Sequence, residues 1–438
     1  MQKKWVKISL LVLLFFLALL YMYYYRPLVD DELYGFGFGV NILKGLVPYK
    51  DFNMIITPLF SYLVAGVLGI FGEYLIVYHI IICLIIVSIT YMSYKKIGWS
   101  AVIIYLLLLV YPFTGYNMFS LFLMFILLNL DDSNDKKYLI LEAVIISLMI
   151  LTKQVLGLLV IPSLLYSKNR KKSFLIYLGI GLLFILTLVF NESLLEFIDY
   201  CFLGMFDFSS QNNEGFNFFV VLQLVIIGYL IYELKKKKDK KIFYILGFQI
   251  MSFPIVNYPH FIISFIPVVY YLFSCNNNSY VKLFASSFTI MYFIIFSVTI
   301  MYKGDMYMYF SNSKGDTFYK GRMVSNYLES TVNEVSRIID RYEGYRYYVL
   351  GNLSYVVKLS LDDKIDKFDL INNGNMGYDG VSRYIEEIDE YCSENKCLFI
   401  LENRGEESTN QTNVDILKYV EDNYMQNIGG SIYKIYSN

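Results

Sequence analysis

The sequence predicts a polytopic α-helical membrane protein of about eleven spans, with interfacial helical structure in its first external loop and a small C-terminal α/β domain. Three observations carry this. The chain has 438 residues, 56% of them apolar and only 17% charged, with a mean hydropathy of +0.47, outside the range of ordinary soluble domains. The apolar residues crowd into 1–302, whereas 303–438 is polar and mixed in charge. Basic clusters punctuate the apolar part at intervals that suit alternate crossings. The net charge of −1 gives no electrostatic case for nucleic acid.

Met1–Tyr25 opens with Lys3, Lys4 and Lys7 and continues as an apolar run of about 18 residues with no small-residue cleavage site, so it reads as an uncleaved span. The later basic clusters are Lys95-Lys96, Lys136-Lys137, Lys168 with Arg170-Lys171-Lys172, and Lys235–Lys238 with Lys240-Lys241. With all of them cytoplasmic, spans near 8–25, 74–94, 98–112, 117–130, 138–151, 154–167, 173–190, 216–233, 242–254, 260–274 and 280–302 alternate without contradiction. Thr57–Phe71 is about 15 residues, carries Gly66 and Gly69, and would break this parity, so it reads as a helix in the outer interface. The domains are then 1–302, a membrane domain with external loop 26–73, and 303–438, an extracytoplasmic α/β domain.

By this parity the polar groups within apolar sequence fall on the external side: Asp30, Asp31, Glu32, Lys50, Asp51, Lys153, Asn257 and His260. Ionisable groups beside hydrocarbon are costly and tend to be kept where they work. Asp30, Asp31 and Glu32 are consecutive and cannot all face one cavity. One of them suits a general base toward a hydroxyl, and the competing reading is a solvated acidic start to a helix. Lys153 either snorkels to headgroups or holds a phosphate as a point charge. His260 is either an interfacial ring without a task or a hydrogen-bond partner of a phosphate or sugar oxygen. His79, inside an apolar run, reads as a core or interfacial residue. Most of the 43 tyrosines are explained by interfacial anchoring and coding bias, as at Tyr21 and Tyr23–Tyr25. Gly35-Phe36-Gly37-Phe38-Gly39 lacks the lysine and the context of a phosphate loop. Cys83, Cys201 and Cys275 read as packing residues. Cys392 and Cys397 are either bonded, if external, or free.

Asp31-Glu32-Leu33-Tyr34, then Gly45, Pro48-Tyr49, Asp51-Phe52 and Thr57-Pro58-Leu59, resembles the first external loop of membrane glycosyltransferases of the GT-C class. The group in question is that of protein O-mannosyltransferases and lipid A aminoarabinose transferases. Thr152-Lys153-Gln154 and Tyr258-Pro259-His260 resemble later external turns of such enzymes. The resemblance implies a GT-C-like fold and a glycosyltransferase of the cell membrane, acting in a bacterial cell envelope. Its donor would be a polyprenyl-phosphate sugar and its acceptor the hydroxyl of a glycan, lipid or protein. It maps the catalytic aspartate to Asp31, with Asp30 as substitute, and implies inversion at the anomeric carbon. Glu32, Tyr34, Lys50, Asp51, Lys153, His260 and Arg26 are then expected at the substrate. No cofactor is required by the sequence, and the acidic cluster leaves room for a divalent metal. A non-enzymatic transporter of lipid-linked saccharides and a polysaccharide ligase or polymerase are the alternatives.

In the C-terminal part, strands are expected at 345–350, 397–401 and 431–436 and helices at 381–392 and 414–423. Asp362-Asp363 and Glu386-Glu387 read as solvated faces. Asn410-Gln411-Thr412 has the form of a glycosylation triplet, which carries little weight in a bacterial chain.

Overall fold

A computed structural model describes the chain apart from residues 1, 26–29, 111–114, 131–135, 168, 206–215, 254–255, 276–278, 303–309, 313–316, 343, 352–353, 362–370, 372–374, 403–411 and 430–432. Arg26, Asp362, Asp363 and Asn410 therefore lie outside the described residues, as does the side chain of Asp30. The chain divides into two compact units. One comprises Met1–Gly39, Thr57–Thr187 and Asn213–Met308; the other comprises Val40–Ile56, Leu188–Asn212 and Tyr309–Asn438.

Among the described residues the apolar segments expected to span are helical, and the helices over 30–43 and 170–190 run from the first unit into the second. The helices are α1 (Gln2–Leu20), α2 (Asp30–Leu43), α3 (Leu59–Phe71), α4 (Leu75–Ile97), α5 (Ala101–Val110), α6 (Gly115–Asn129), α7 (Lys136–Thr152), α8 (Val160–Tyr166) and α9 (Arg170–Phe190). After α10 (Leu194–Ile198), which belongs to the second unit, come α11 (Phe218–Lys237), α12 (Lys240–Ile250), α13 (Tyr258–Cys275) and α14 (Ser279–Tyr302). Five stretches among the described residues are long and apolar enough to cross a membrane: Val6–Tyr23, Leu75–Val110, Arg170–Phe190, Phe218–Lys237 and Tyr258–Cys275. The second of these folds back at the turn Gly98–Ser100, because α4 and α5 pack against each other.

Burial separates inner from outer helices. The apolar window of α13 is 67% buried, and that of α9 only 11%. A helix apolar all round and buried belongs to the centre of a bundle, whereas α9 offers its apolar surface outward, as a lipid-facing helix does.

The glycine run 35–39, read from the sequence as a rejected phosphate loop, is the packing face of α2. A Cβ on Gly35 would lie 2.4 Å from the Tyr78 hydroxyl of α4, and one on Gly39 would lie 2.4 Å from Val64 of α3. Small residues four apart let helix backbones approach closely.

Buried polar groups also occur where the sequence reading placed none. Gln223 of α11 donates to the Gln249 carbonyl at 3.0 Å and to Ser252 Oγ at 2.9 Å, and Gln249 donates to the Ser264 carbonyl of α13. Glu142 of α7 pairs with Lys240 at 3.3 Å and accepts from Tyr244. This corrects the expectation that polar groups gather on one side. These residues act as hydrogen-bonded joints between helices, a role that side-chain spacing along a single helix does not reveal.

The second unit is built on a mixed sheet of order β3-β4-β6-β5, with β3 Arg346–Leu350, β4 Cys397–Glu402, β5 Met425–Gly429 and β6 Tyr433–Ser437. A separate antiparallel pair, β1 (Phe310–Asn312) and β2 (Met323–Ser325), precedes it. β3 runs parallel to β4, while β6 is antiparallel to both β4 and β5. The run Cys397–Leu401 is wholly buried, as a strand covered on both faces must be. Around the sheet lie α15 (Asn326–Arg341), α16 (Ser354–Leu361), α17 (Gly380–Glu394) and α18 (Val414–Asn423). The expected strands and helices appear within a few residues of their places, while β1, β2, β5, α15 and α16 are additions. Cys392 and Cys397 form a disulfide.

Two segments from the apolar part of the sequence join this unit. Asn53 donates to the Asn375 carbonyl at 2.8 Å. Asp199, after α10, accepts from Arg383 at 2.6 Å and from the Tyr378 amide at 3.0 Å.

Candidate active site

α2 presents the acidic motif. The helix begins at Asp30, and the Asp31 carboxylate in its first turn suits the partial positive charge of the N-terminus. Consecutive residues on a helix are about 100° apart, so Asp31 and Glu32 diverge. Asp31 is exposed, whereas Glu32 is 0% exposed and pairs with Nε2 of His79 on α4. The Tyr23 ring meets His79 edge-on at 5.6 Å. Glu32, grouped from sequence with the substrate contacts, is thus turned into the bundle, and His79 is its core partner. Tyr34 is half-buried one turn beyond Asp31.

Lys153 is placed by a break in the helix. α7 ends at Thr152, Lys153 is extended (φ −154°), and a 3₁₀ turn begins at Gln154. The break is fixed from both sides: the Lys153 amide donates to the Met149 carbonyl at 2.9 Å, and Thr57 donates to the Ile150 carbonyl at 2.7 Å. The ammonium donates to Asn117 Oδ1 of α6 at 3.1 Å and lies 5.6 Å from the centre of the Tyr116 ring. An ammonium has three donors, and among the described residues only Asn117 accepts from it. Burial pulls the Lys153 pKa down to about 8, and the negative charge of Asp31 acts in the opposite direction. Burial prevails because Asp31 is exposed and screened, while the ammonium is desolvated.

His260 stands in the first turn of α13. Asn257 caps this helix by accepting from the His260 amide at 3.3 Å, and its Oδ1 lies 2.8 Å from the ring Nδ1. With Nδ1 donating to Asn257, Nε2 is the free acceptor of the neutral ring. The Lys153 charge is felt at this imidazole. Lys153, distant from both in sequence, thus stands within electrostatic reach of Asp31 and of His260 in the first unit. Neither the Lys153 partners Asn117 and Tyr116 nor the pairing of Glu32 with His79 was read from the sequence. An Asn beside a Tyr at the start of an apolar helix was the only available signal for the former.

Lys50 and Asp51 take local roles in the second unit. Asp51 accepts from the Val47 amide at 2.7 Å and closes a turn in which Tyr49 has φ 72°. Such a conformation is strained for a residue with a side chain and persists only when its surroundings hold it. Here Tyr49 is 0% exposed, donates its hydroxyl to the Ile56 carbonyl at 2.7 Å, and meets Phe197 at 5.2 Å. Lys50 points outward and pairs with Glu192 at 2.7 Å, which raises the lysine pKa and lowers that of the carboxyl. Among the described residues no group of three or more His, Cys, Asp and Glu side chains is placed to hold a metal ion.

No protein-family model matches the chain, and no curated protein matches it. Among solved structures the chain is similar to ArnT from Cupriavidus metallidurans bound to undecaprenyl phosphate, with a TM-score of 0.58 and 12% identity over 100% of this chain and 98% of that one. The apo state of the same protein gives a TM-score of 0.57 with the same coverage. The apo oligosaccharyltransferase of Archaeoglobus fulgidus gives 0.50 at 12% identity, over 90% of this chain and 69% of the other. At such identity the likeness establishes the fold alone, which this chain shares with ArnT over its whole length.

Proposed function

We propose that this protein transfers a sugar from a polyprenyl-phosphate donor to an acceptor hydroxyl at the external membrane face, with inversion. One observation carries the reading: Lys153, buried at a helix break with Asn117 as its described acceptor, stands within electrostatic reach of Asp31 and of His260, in a chain whose fold matches a protein bound to undecaprenyl phosphate over its whole length. The membrane part would cross about eleven times, with the sheet domain on the external side.

Asp31 is the base. It takes the acceptor O–H proton as the acceptor oxygen bonds to C1 and the C1–O bond to phosphate breaks, so the electron pair leaves with the polyprenyl phosphate. That leaving group is anionic already and needs charge stabilisation more than a proton. Lys153 supplies it, with donors open toward an anion. His260 Nε2, an acceptor while Nδ1 is held by Asn257, orients a sugar hydroxyl. Asp30 is the substitute base. Glu32 and His79 hold α2 against α4 and act through position.

The test is transfer of labelled sugar from polyprenyl-phosphate donors to membrane or wall fractions. Asp31→Asn is expected to lose about 10²–10⁴-fold in turnover while retaining donor binding. Equal transfer by both proteins would remove Asp31 as the base. Absence of transfer by the wild type from any donor would favour a transporter.

A further inference from the structure

α1 and the α4–α5 hairpin enclose an apolar groove of about 400 Å³, with Val6, Leu10 and Leu14 on one wall and Tyr91, Tyr94 and Trp99 on the other. This volume lies within the range of small-ligand sites. The α1 wall is a single stripe because its residues recur every four positions. Tyr94 and Trp99 meet edge-to-face at 5.6 Å, and such aromatic pairs sit at the boundary between hydrocarbon and headgroups.

Cations gather at this end of the groove. Lys7 Nζ lies 5.6 Å from the Tyr94 ring centre, Lys95 Nζ lies 4.5 Å from that of Tyr91, and Lys96 follows in the last turn of α4. Among the described residues none of the three pairs with a carboxylate. Lys95 and Lys96 offset the partial negative charge at the C-terminal end of α4. That explanation does not extend to Lys7, which stands toward the N-terminal end of α1, where an anion is favoured over a cation.

We propose that the groove binds one anionic glycerophospholipid of the leaflet at the lysine-bearing end of the bundle. An acyl chain lies along the α1 stripe and the phosphate sits at Lys7 and Lys95. The site lies toward the start of α1, whereas Asp31 follows the end of that helix. The inference is independent of the transfer reading.

The experiment uses the full chain, delipidated in detergent, with native mass spectrometry and thermal midpoints. The probes are phosphatidylglycerol, phosphatidylcholine, undecaprenyl phosphate and inorganic phosphate. Phosphatidylglycerol is expected to bind at one per chain and raise the midpoint, with phosphatidylcholine and inorganic phosphate doing neither. Lys7→Gln is expected to weaken that binding about fivefold, and Leu10→Trp to block it by filling the groove. Lys7 is exposed, so its variant tests the headgroup without disturbing the fold. Equal binding of the two phospholipids, or an unchanged Lys7→Gln, overturns the proposal. So does preference for undecaprenyl phosphate, which would make this a donor-lipid site. A dimer that excludes lipid overturns it as well.

Discussion

Removing Glu32 separates its two candidate roles, because a positioning residue and a substrate contact fail in different ways. Glu32 and His79 are both 0% exposed, and the pair joins α2 to α4. Breaking a buried ion pair by deleting one partner costs about 3–5 kcal/mol, since the other charge is left uncompensated. A neutral hydrogen bond between membrane helices averages only about 0.6 kcal/mol. Whichever form the pair takes, full burial beside the Tyr23 ring leaves the His79 nitrogen that faced Glu32 no route to water, and an orphaned buried polar group costs about 1–3 kcal/mol. Glu32→Ala is therefore expected to lose about 1–3 kcal/mol. Glu32→Leu combined with His79→Leu should recover most of this, because no polar group is then orphaned. Unfolding in mixed detergent micelles, run as a double-mutant cycle, measures the coupling. Sugar transfer is measured in parallel and normalised to folded protein. A Glu32→Ala protein of full stability that has lost transfer would refute the positioning role and return Glu32 to the substrate.

Donor affinity should be level at neutral pH and decline above about pH 8, as the desolvated Lys153 loses its proton. Lys153→Arg, charged throughout, should flatten that decline in a donor-binding titration. Because this pKa lies below the ordinary lysine value of 10.5, the same group should make stability rise, not fall, between those two values. Gly35→Ala should cost about 1–3 kcal/mol, since its Cβ would meet the Tyr78 hydroxyl at 2.4 Å; pairing it with Tyr78→Phe should restore part of the melting midpoint. Asp51→Ala, which opens the bond to the Val47 amide, should cost about 1.5 kcal/mol and leave transfer per folded molecule unchanged. Lost transfer at full stability would instead place Asp51 at the substrate.

The sequence determined by itself what one-dimensional patterns can hold. Apolar runs long enough to be helices became α1, α3 to α9 and α11 to α14 nearly at their expected places, while α2 and α10 were not expected; the uninterrupted apolar run Cys397–Leu401 became the central strand β4. Both follow from local periodicity and from the need to satisfy backbone polar groups inside each segment. Asp31, Lys153 and His260 were also legible, because an ionisable group in apolar sequence is conspicuous wherever it falls. Only the tertiary structure decided which polar residues stay open at the proposed site and which hold the fold. Glu32 and Asp31 are chemically alike and adjacent, yet the helix turn sends one to His79 and leaves the other exposed. Lys50 and Asp51 found partners in Glu192 and Val47, and Glu142 and Gln223 became joints between helices. Such roles depend on which side chain another element brings within hydrogen-bonding distance, and that distance is a property of the packed chain alone.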